Sequence, residues 1–456
     1  MHIGRVSIRI GLAAGALLFS WCVASTAEAT LWNVKADGSG DTPTLQAAIL
    51  AAASGDTVLI FPGTYTEHCT LDAKTLVLQG KDGAEATFLD GEFAGRVLEV
   101  NAGEVTLSGL TIENGLKTGI EVDNQGAGIA AFQSFIAIKN CVFRSNVAAI
   151  GGAVFVGSFS APKAGGAPSG SVATPSLVVE NTVFQNNVAT QSGGGIHSDE
   201  VPSYIVDCTF QGNHAGELGG GIDLLHADHH VERCRFETNN AFHGGGLSWS
   251  GFGVLSLIQV TFQQNLADTF GGGLWVVNAT QILLDHVWFL ENLADRGGGA
   301  YLARVNASAG RCFWRGNSGS VRGGGAYFEE ISGGAFDTST WMENTSPIGA
   351  AFMIDRGELH LTSSIVTEES SAVMCVGGAN VTAACMVGGP ATEACFNFVL
   401  RTAVSGCDAT PEFLCSIPSP AGCGPAGHAT ATCPEGTCGT PVRIISWGTL
   451  KARYRS

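Results

Sequence analysis

A large apolar ring followed three positions later by asparagine recurs along the middle of the chain: Phe143/Asn146, Phe184/Asn187, Phe210/Asn213, Phe236/Asn239, Phe262/Asn265, Phe289/Asn292, Trp314/Asn317 and Trp341/Asn344. Successive rings are 41, 26, 26, 26, 27, 25 and 27 residues apart. Eight or nine residues after each ring stands a glycine cluster, from Gly151-Gly152 through Gly193 to Gly195, Gly219 to Gly221, Gly244 to Gly246, Gly271 to Gly273, Gly297 to Gly299 and Gly323 to Gly325, ending in Gly349-Ala350-Ala351. Each unit also holds short β-prone runs, such as Tyr204 to Phe210 or Leu255 to Phe262, bounded by Gly and Asn turns. A fixed period of this kind marks a solenoid. About 26 residues hold three short strands and their turns but leave no room for a crossover helix. The pattern therefore predicts a parallel β-helix, right-handed by the rule for parallel connections. Equivalent residues of successive coils should lie ~4.8 Å apart, with the rings stacked inside and each Asn at a bend bonding the next coil.

The one long interval has a simple source. Residues 157–176 are rich in Pro, Gly, Ser and Ala and read as a loop extruded from one coil. Upstream, Thr44 to Ala53 reads as a short apolar helix that plugs the open first coil. Ser108 to Asn114 reads as another early coil.

Outside the solenoid, assigned to residues 30–374, the patterning changes. Arg5 and Arg9 precede an apolar run from Ile10 to Val23, and Ala27-Glu28-Ala29 offers a small-x-small cleavage site. Residues 1–29 therefore read as an export signal cleaved near Ala29. Trp21, standing before Cys22, argues against lipidation. Eight cysteines crowd between Cys375 and Cys438. In an exported protein they predict a disulfide-rich module over 375–440. Residues 441–456 switch to basic and aromatic residues, as a sorting signal or an amphipathic tail would.

GG[GA] followed by an apolar residue, together with Phe-x-x-Asn, resembles the repeat of the polymorphic membrane protein family of autotransporters over about residues 140–355. That resemblance implies an adhesin-like surface β-helix. Asp37-Gly38-Ser39-Gly40, Leu45 to Ile49, Gly55-Asp56-Thr57-Val58 and Gly63-Thr64-Tyr65-Thr66-Glu67 are similar to the opening of pectin-lyase-like β-helix proteins, pectin methylesterases among them. The catalytic signatures of pectin methylesterases do not occur here, so the resemblance implies the fold and not that activity.

Composition agrees with a solenoid: 63 Gly and only 14% charged residues suit short strands and tight turns. The formal charge of −17 argues against nucleic acid and anionic membrane as partners, and would repel an acidic polysaccharide unless a local basic patch or calcium bridges it. No stretch after the signal has the ~18 uninterrupted apolar residues of a membrane helix.

Candidate chemistry follows from the register. If the residue after each glycine cluster (Ile196, Ile222, Leu247, Leu274, Ala300, Ala326) points inward, the next points outward. That outward column runs Phe155, His197, Asp223, Ser248, Trp275, Tyr301, Tyr327, Met353. Trp275, Tyr301 and Tyr327 would form an aromatic ladder on which sugars stack, or would simply pack on one another. His197 beside Asp223, with Asp199 on the same strand, suggests an acid–base set; the two aspartates should lie ~8 Å apart, within the range for inverting glycoside hydrolysis. His226, Asp228, His229 and His230 form a polar group with metal-ligand residue types. Cys141, Cys208, Cys234 and Cys312 share a slot with Thr182, Val260, Val287 and Ser339, two positions before each ring. That mixture describes a small buried position, though a disulfide between Cys208 and Cys234 stays open. No motif calls for a cofactor or a metal. The reading is an exported surface or secreted β-helix that binds a glycan or surface ligand without catalysis; the alternative is a polysaccharide hydrolase or lyase.

Overall fold

The computed structural model describes residues 29–117, 124–158, 176–362, 364–366, 373–377, 379–384 and 387–388. The export signal, all but the ends of the 157–176 insertion, the basic tail and most of the cysteine-rich segment lie outside the described residues.

The chain is an all-β parallel solenoid of the right-handed type, with about 12 turns of ~26 residues. One coil shows the plan. Ile196–Asp199 forms a first strand, Ser203–Val206 a second, Thr209–Gln211 a third and His214–Ala215 a fourth. The glycine triplet then turns the chain into Ile222–Leu225, which pairs in parallel with Ile196–Asp199. Among the described residues the third-strand stack is a 13-stranded sheet and the fourth an 8-stranded one. The first and second stacks join into one 24-stranded sheet, because Ala326–Asp337 and Phe352–Thr362 run through both as single strands.

The predicted register holds. Phe143 pairs with Phe184, Phe184 with Phe210, Phe210 with Phe236, Phe236 with Phe262 and Phe262 with Phe289. Their rings lie parallel at centroid distances of 4.8–5.2 Å, and the column continues through Trp314 to Trp341. All eight rings are buried. They dominate one contiguous core that also takes in Ile196, Ile222, Leu247, Leu274, Ala300 and Ala326.

Asparagine closes the third corner of each coil. The side-chain amide of Asn213 donates to Asn239 Oδ1 at 3.0 Å and to the Phe184 carbonyl at 2.9 Å, and its backbone N–H donates to the same Asn239 Oδ1. The same three bonds recur for Asn187, Asn239, Asn265, Asn292 and Asn317. A buried turn thus leaves no polar group of this corner unpaired. The residue ahead of each Asn takes the left-handed conformation, and it is seldom glycine: Ser145, Asn186, Thr238, Gln264, Glu291 and Glu343 all have φ near +55°. Such residues cost about 1–2 kcal/mol each, which the ladder must outweigh.

The glycine triplets have separate reasons for lacking side chains. Gly244 adopts φ +62°, where only glycine is unstrained. At Gly245 a Cβ would come within 2.3 Å of the Leu266 carbonyl and 2.5 Å of the Gly272 carbonyl. We predict that Gly245→Ala costs about 3 kcal/mol, read as a lowered denaturation midpoint, because backbone on two sides has to give way.

Between first and second strands, 18 residues separate Val154–Gly157 from Ser176–Glu180, where three separate Asp199 from Ser203. The strands on either side keep the common register.

At the N-terminal end, Leu45–Ala51 forms a helix where one was predicted, with Leu45, Ala48 and Ile49 buried against the first coils. Seven residues are too few to hold a helix alone. Thr44 caps Ala47 N–H, while Glu67 accepts from the N–H groups of Leu45 and Gln46 at 2.7 and 2.8 Å. Lys74 donates to the carbonyls of Ile49, Leu50 and Ala52 at the other end. Asp56 gathers Thr30 N–H, Trp32 Nε1 and Ala53 N–H, which hold its carboxyl below the usual aspartate range. Tyr65 OH donates to the carbonyls of Val34 and Phe61. The opening motifs of the chain are joints of the first coil.

Candidate functional site

The column after the glycine triplets stacks as predicted. Phe155, His197, Asp223, Ser248, Trp275, Tyr301, Tyr327 and Met353 are register partners in that order. It faces away from the main core, but it is not exposed. Tyr301 is 6% and Tyr327 1% accessible, and Trp275 is half-buried. The expectation of an open aromatic ladder is thereby corrected. His243 and Phe270, which end the fourth-stack strands Asn240–His243 and Leu266–Phe270, fold over the column as the chain enters the glycine turn. Phe270 packs on Tyr301 with ring centroids 4.6 Å apart, and His243 stacks on Trp275 at 5.4 Å. Trp275, Tyr301, Tyr327 and Met353 form a second apolar cluster with Phe270 and Ile348. The crease between the first and fourth stacks is a small core of its own.

The two tyrosine hydroxyls are also occupied. Tyr301 OH donates to Glu329, and Tyr327 OH to Asp355 at 3.5 Å. Burial, with Glu329 second, pushes the Tyr301 hydroxyl well above the usual tyrosine range; burial does the same for Tyr327. Neither hydroxyl is left to meet a sugar.

The acid–base candidates meet in the same crease. His197 Nδ1 lies 2.9 Å from Asp223 Oδ2, although neither atom makes an aligned hydrogen bond, and Phe155 stacks on the His197 ring at 5.5 Å. Ser248 Oγ donates to Asp223 Oδ1 at 2.5 Å. Asp223 is 1% accessible, so neither carboxylate oxygen faces a substrate or an attacking water. Asp199 is set apart from that pair on the coil surface, where its Oδ1 meets His226 Nδ1 at 3.4 Å. The structure thus joins His197 to Asp223 and sets Asp199 against His226.

The histidine-rich group comes apart in the fold. His229 points into the core and His230 out of it. His230 stacks on Tyr204 at 4.9 Å and its Nε2 meets Glu232 Oε2 at 3.2 Å. Asp228 Oδ1 accepts from Val254 N–H. Among the described residues no three His, Cys, Asp or Glu side chains gather as a metal site.

Cys141, Cys208, Cys234 and Cys312 are free buried thiols. Each Sγ donates to the carbonyl two residues back, as Thr182 and Ser339 hydroxyls do in the same slot. Cys234 Sγ accepts the Cys208 N–H at 3.4 Å, so stacked thiols replace the disulfide left open by the sequence. Burial pushes Cys141 up to about 11 and Cys312 up to about 12, which keeps both protonated and inert.

Rings that do reach solvent lie elsewhere. Tyr204, on the outward face of the second stack, is 44% accessible, and Phe252, at a turn between first and second strands, is 79% accessible. Tyr204 shares its outward column with Val178, His230, Ser256 and Leu283. The alternation within Tyr204 to Phe210 marks this position as outward, but nothing in the sequence separates it from the covered column.

Comparisons with known proteins bear on one unit. Residues 181–199 match the Chlamydia polymorphic membrane protein repeat. That span runs from the corner before Val183–Gln185 through Asn187 and the Gly193 to Gly195 turn to the end of Ile196–Asp199. Among solved structures, a pectin methylesterase in complex with hexasaccharide VII aligns over 81% of this chain and 91% of its own, at 11% identity and a TM-score of 0.18. No curated protein matches the chain. Among the described residues no helix is long and apolar enough to cross a membrane. The chain is a parallel β-solenoid whose repeat resembles that of a Chlamydia surface-protein family.

Proposed function

We propose that this protein is exported and displayed at, or released from, the cell surface, where it binds a glycan or another surface ligand without turning it over. The observation that carries the reading is the repeat match over residues 181–199, a segment whose rings, asparagines and glycines recur through the stack. In this reading residues 1–29 direct export, 30–374 form the binding solenoid, 375–440 form a disulfide module and 441–456 serve in sorting or anchoring. The burial of Asp223 in contact with His197 and Ser248 argues for binding over hydrolysis.

The ligand face we favour is the outward side of the second stack around Tyr204 and His230. Its flanking charges are spent on one another, Arg233 on Asp207 and Glu232, and Arg311 on Asp285. A neutral sugar suits such a face better than an anion. Purified protein on a glycan array should retain a neutral oligosaccharide and release no shortened product; shortened product would restore the hydrolase reading. Tyr204→Ala should weaken that retention about five-fold, the loss of roughly 1 kcal/mol of ring contact. Trp275→Ala should lower stability and leave affinity of the folded protein unchanged. Unaltered retention in Tyr204→Ala would move the ligand off this face.

A further inference from the structure

The histidines are unevenly distributed. Six of the 11, His197, His214, His226, His229, His230 and His243, fall within 47 residues of a 456-residue chain, where an even spread would place about one. They occupy two consecutive coils at mid-stack, and the structure buries two of them, His197 and His229.

His229 is the most enclosed. It is 3% accessible and stands in an inward column between Ser203 and Leu255. Its ring meets Trp249 edge-on at 6.5 Å and 84°, and neither ring nitrogen makes an aligned hydrogen bond. The groups around it offer little to a cation. Ser203 Oγ is engaged with Ser198 Oγ and the Val201 carbonyl, Ser198 Oγ with the same carbonyl, and Trp249 Nε1 is a donor. The Leu225 carbonyl faces the ring, and the charge that acts on it is Asp228, whose Oδ1 already accepts Val254 N–H. At the end of the same coil His243 is half-enclosed in the crease, stacked on Trp275 and Phe270, with Nδ1 2.5 Å from Thr269 Oγ1. Facing that site, Arg296 lies over Phe270 at 5.4 Å, a further positive charge. His197 differs in having a carboxylate beside it, with Asp223 Oδ2 at 2.9 Å from its Nδ1.

We propose that the coils spanning residues 196–250 are an acid-sensitive section of the solenoid, which opens in mildly acidic solution while the coils on either side stay folded. A solenoid permits this because each coil touches only its neighbours. The sign follows from linkage. Burial holds His229 down at about 4, against an ordinary 6.5, and holds His243 down as well. Between those two values the opened section binds a proton that the closed one does not. The stability His229 confers is therefore complete above pH 6.5 and drains away as pH falls toward 4. With those two values the opening equilibrium at pH 5.0 exceeds that at pH 7.5 about 30-fold.

Hydrogen exchange of the full chain, corrected for the intrinsic pH effect, reads this coil by coil. Peptides across 222–250 should open about 30-fold more at pH 5.0 than at pH 7.5, while those across 289–341 change little. His229→Leu, which copies Leu255 in the same column, should abolish most of the difference. Equal acid sensitivity in all coils, or a wild-type response in His229→Leu, would overturn the proposal. Should that variant misfold, histidine NMR of the unaltered protein decides: a His229 midpoint near 4 supports the proposal, and one near 6.5 overturns it.

Discussion

Asn239→Ala should destabilise the protein by about 5 kcal/mol, although it removes one small polar side chain. Three groups lose their partners at once: the backbone N–H of Asn213, one N–H of its amide, and the carbonyl of Phe210. Asn265 Oδ1 keeps only the backbone donor of residue 239. All of these sit at a fully buried corner. Each stranded group costs about 1–3 kcal/mol when water cannot replace the partner. Asn239→Asp restores the two acceptor roles but cannot donate to Phe210 or Asn265, so it should recover only part of the loss. Urea unfolding followed by circular dichroism measures both. A solenoid also need not unfold in one step, so the Ala variant should split the transition where the ladder is cut. An Asn239→Ala protein within 1 kcal/mol of the parent would mean that the ladder is not what closes this corner.

Phe262→Ala comes next, at about 4 kcal/mol. The ring is fully buried between Phe236 at 4.8 Å and Phe289 at 5.2 Å. Truncating a core Phe costs about 3–5 kcal/mol, cavity included. The parallel backbones at a fixed spacing cannot collapse into the gap, which keeps this site off the lower end of that range. Phe262→Trp should cost far less, because Trp314 and Trp341 already occupy the same column. Equal losses for Ala and Trp would contradict a column tolerant of larger rings.

The fold was legible because stacking imposes one chemistry on every coil. A ring that must lie over a ring, and an asparagine that must bond an asparagine, recur at the coil period and need no structure to be seen. The left-handed corners were not legible. Thr238, Gln264 and Glu291 hold φ near +55° without glycine, since the ladder beside them supplies the energy that glycine would otherwise save. The crease misled for a different reason. Alternation along Leu274–Val277 and Ala300–Ala303 correctly sets Trp275 and Tyr301 outside the main core, but outward from a strand is not the same as open to water. What covers them comes from the preceding strand, at His243 and Phe270, one position before each glycine turn. Ile150, Leu218, Phe270 and Ile348 are apolar or aromatic in that slot, a signal that a reading confined to the strand after the turn passes over. His197 and Asp223 were paired correctly by register, while their burial depended on the same unseen cover.

Equivalent residues of successive coils lie directly over one another. Arg144, Gln263 and Arg315 share one outward column of the third stack, through Gln185, Gln211, Glu237 and Leu290. Spin labels at 144 and 263 are four coil steps apart, and labels at 144 and 315 six. Pulsed dipolar spectroscopy should give about 19 Å for the first pair and about 29 Å for the second, a constant increment of ~4.8 Å per coil. Distances that do not grow with the number of intervening coils would contradict the stacking and everything built on it.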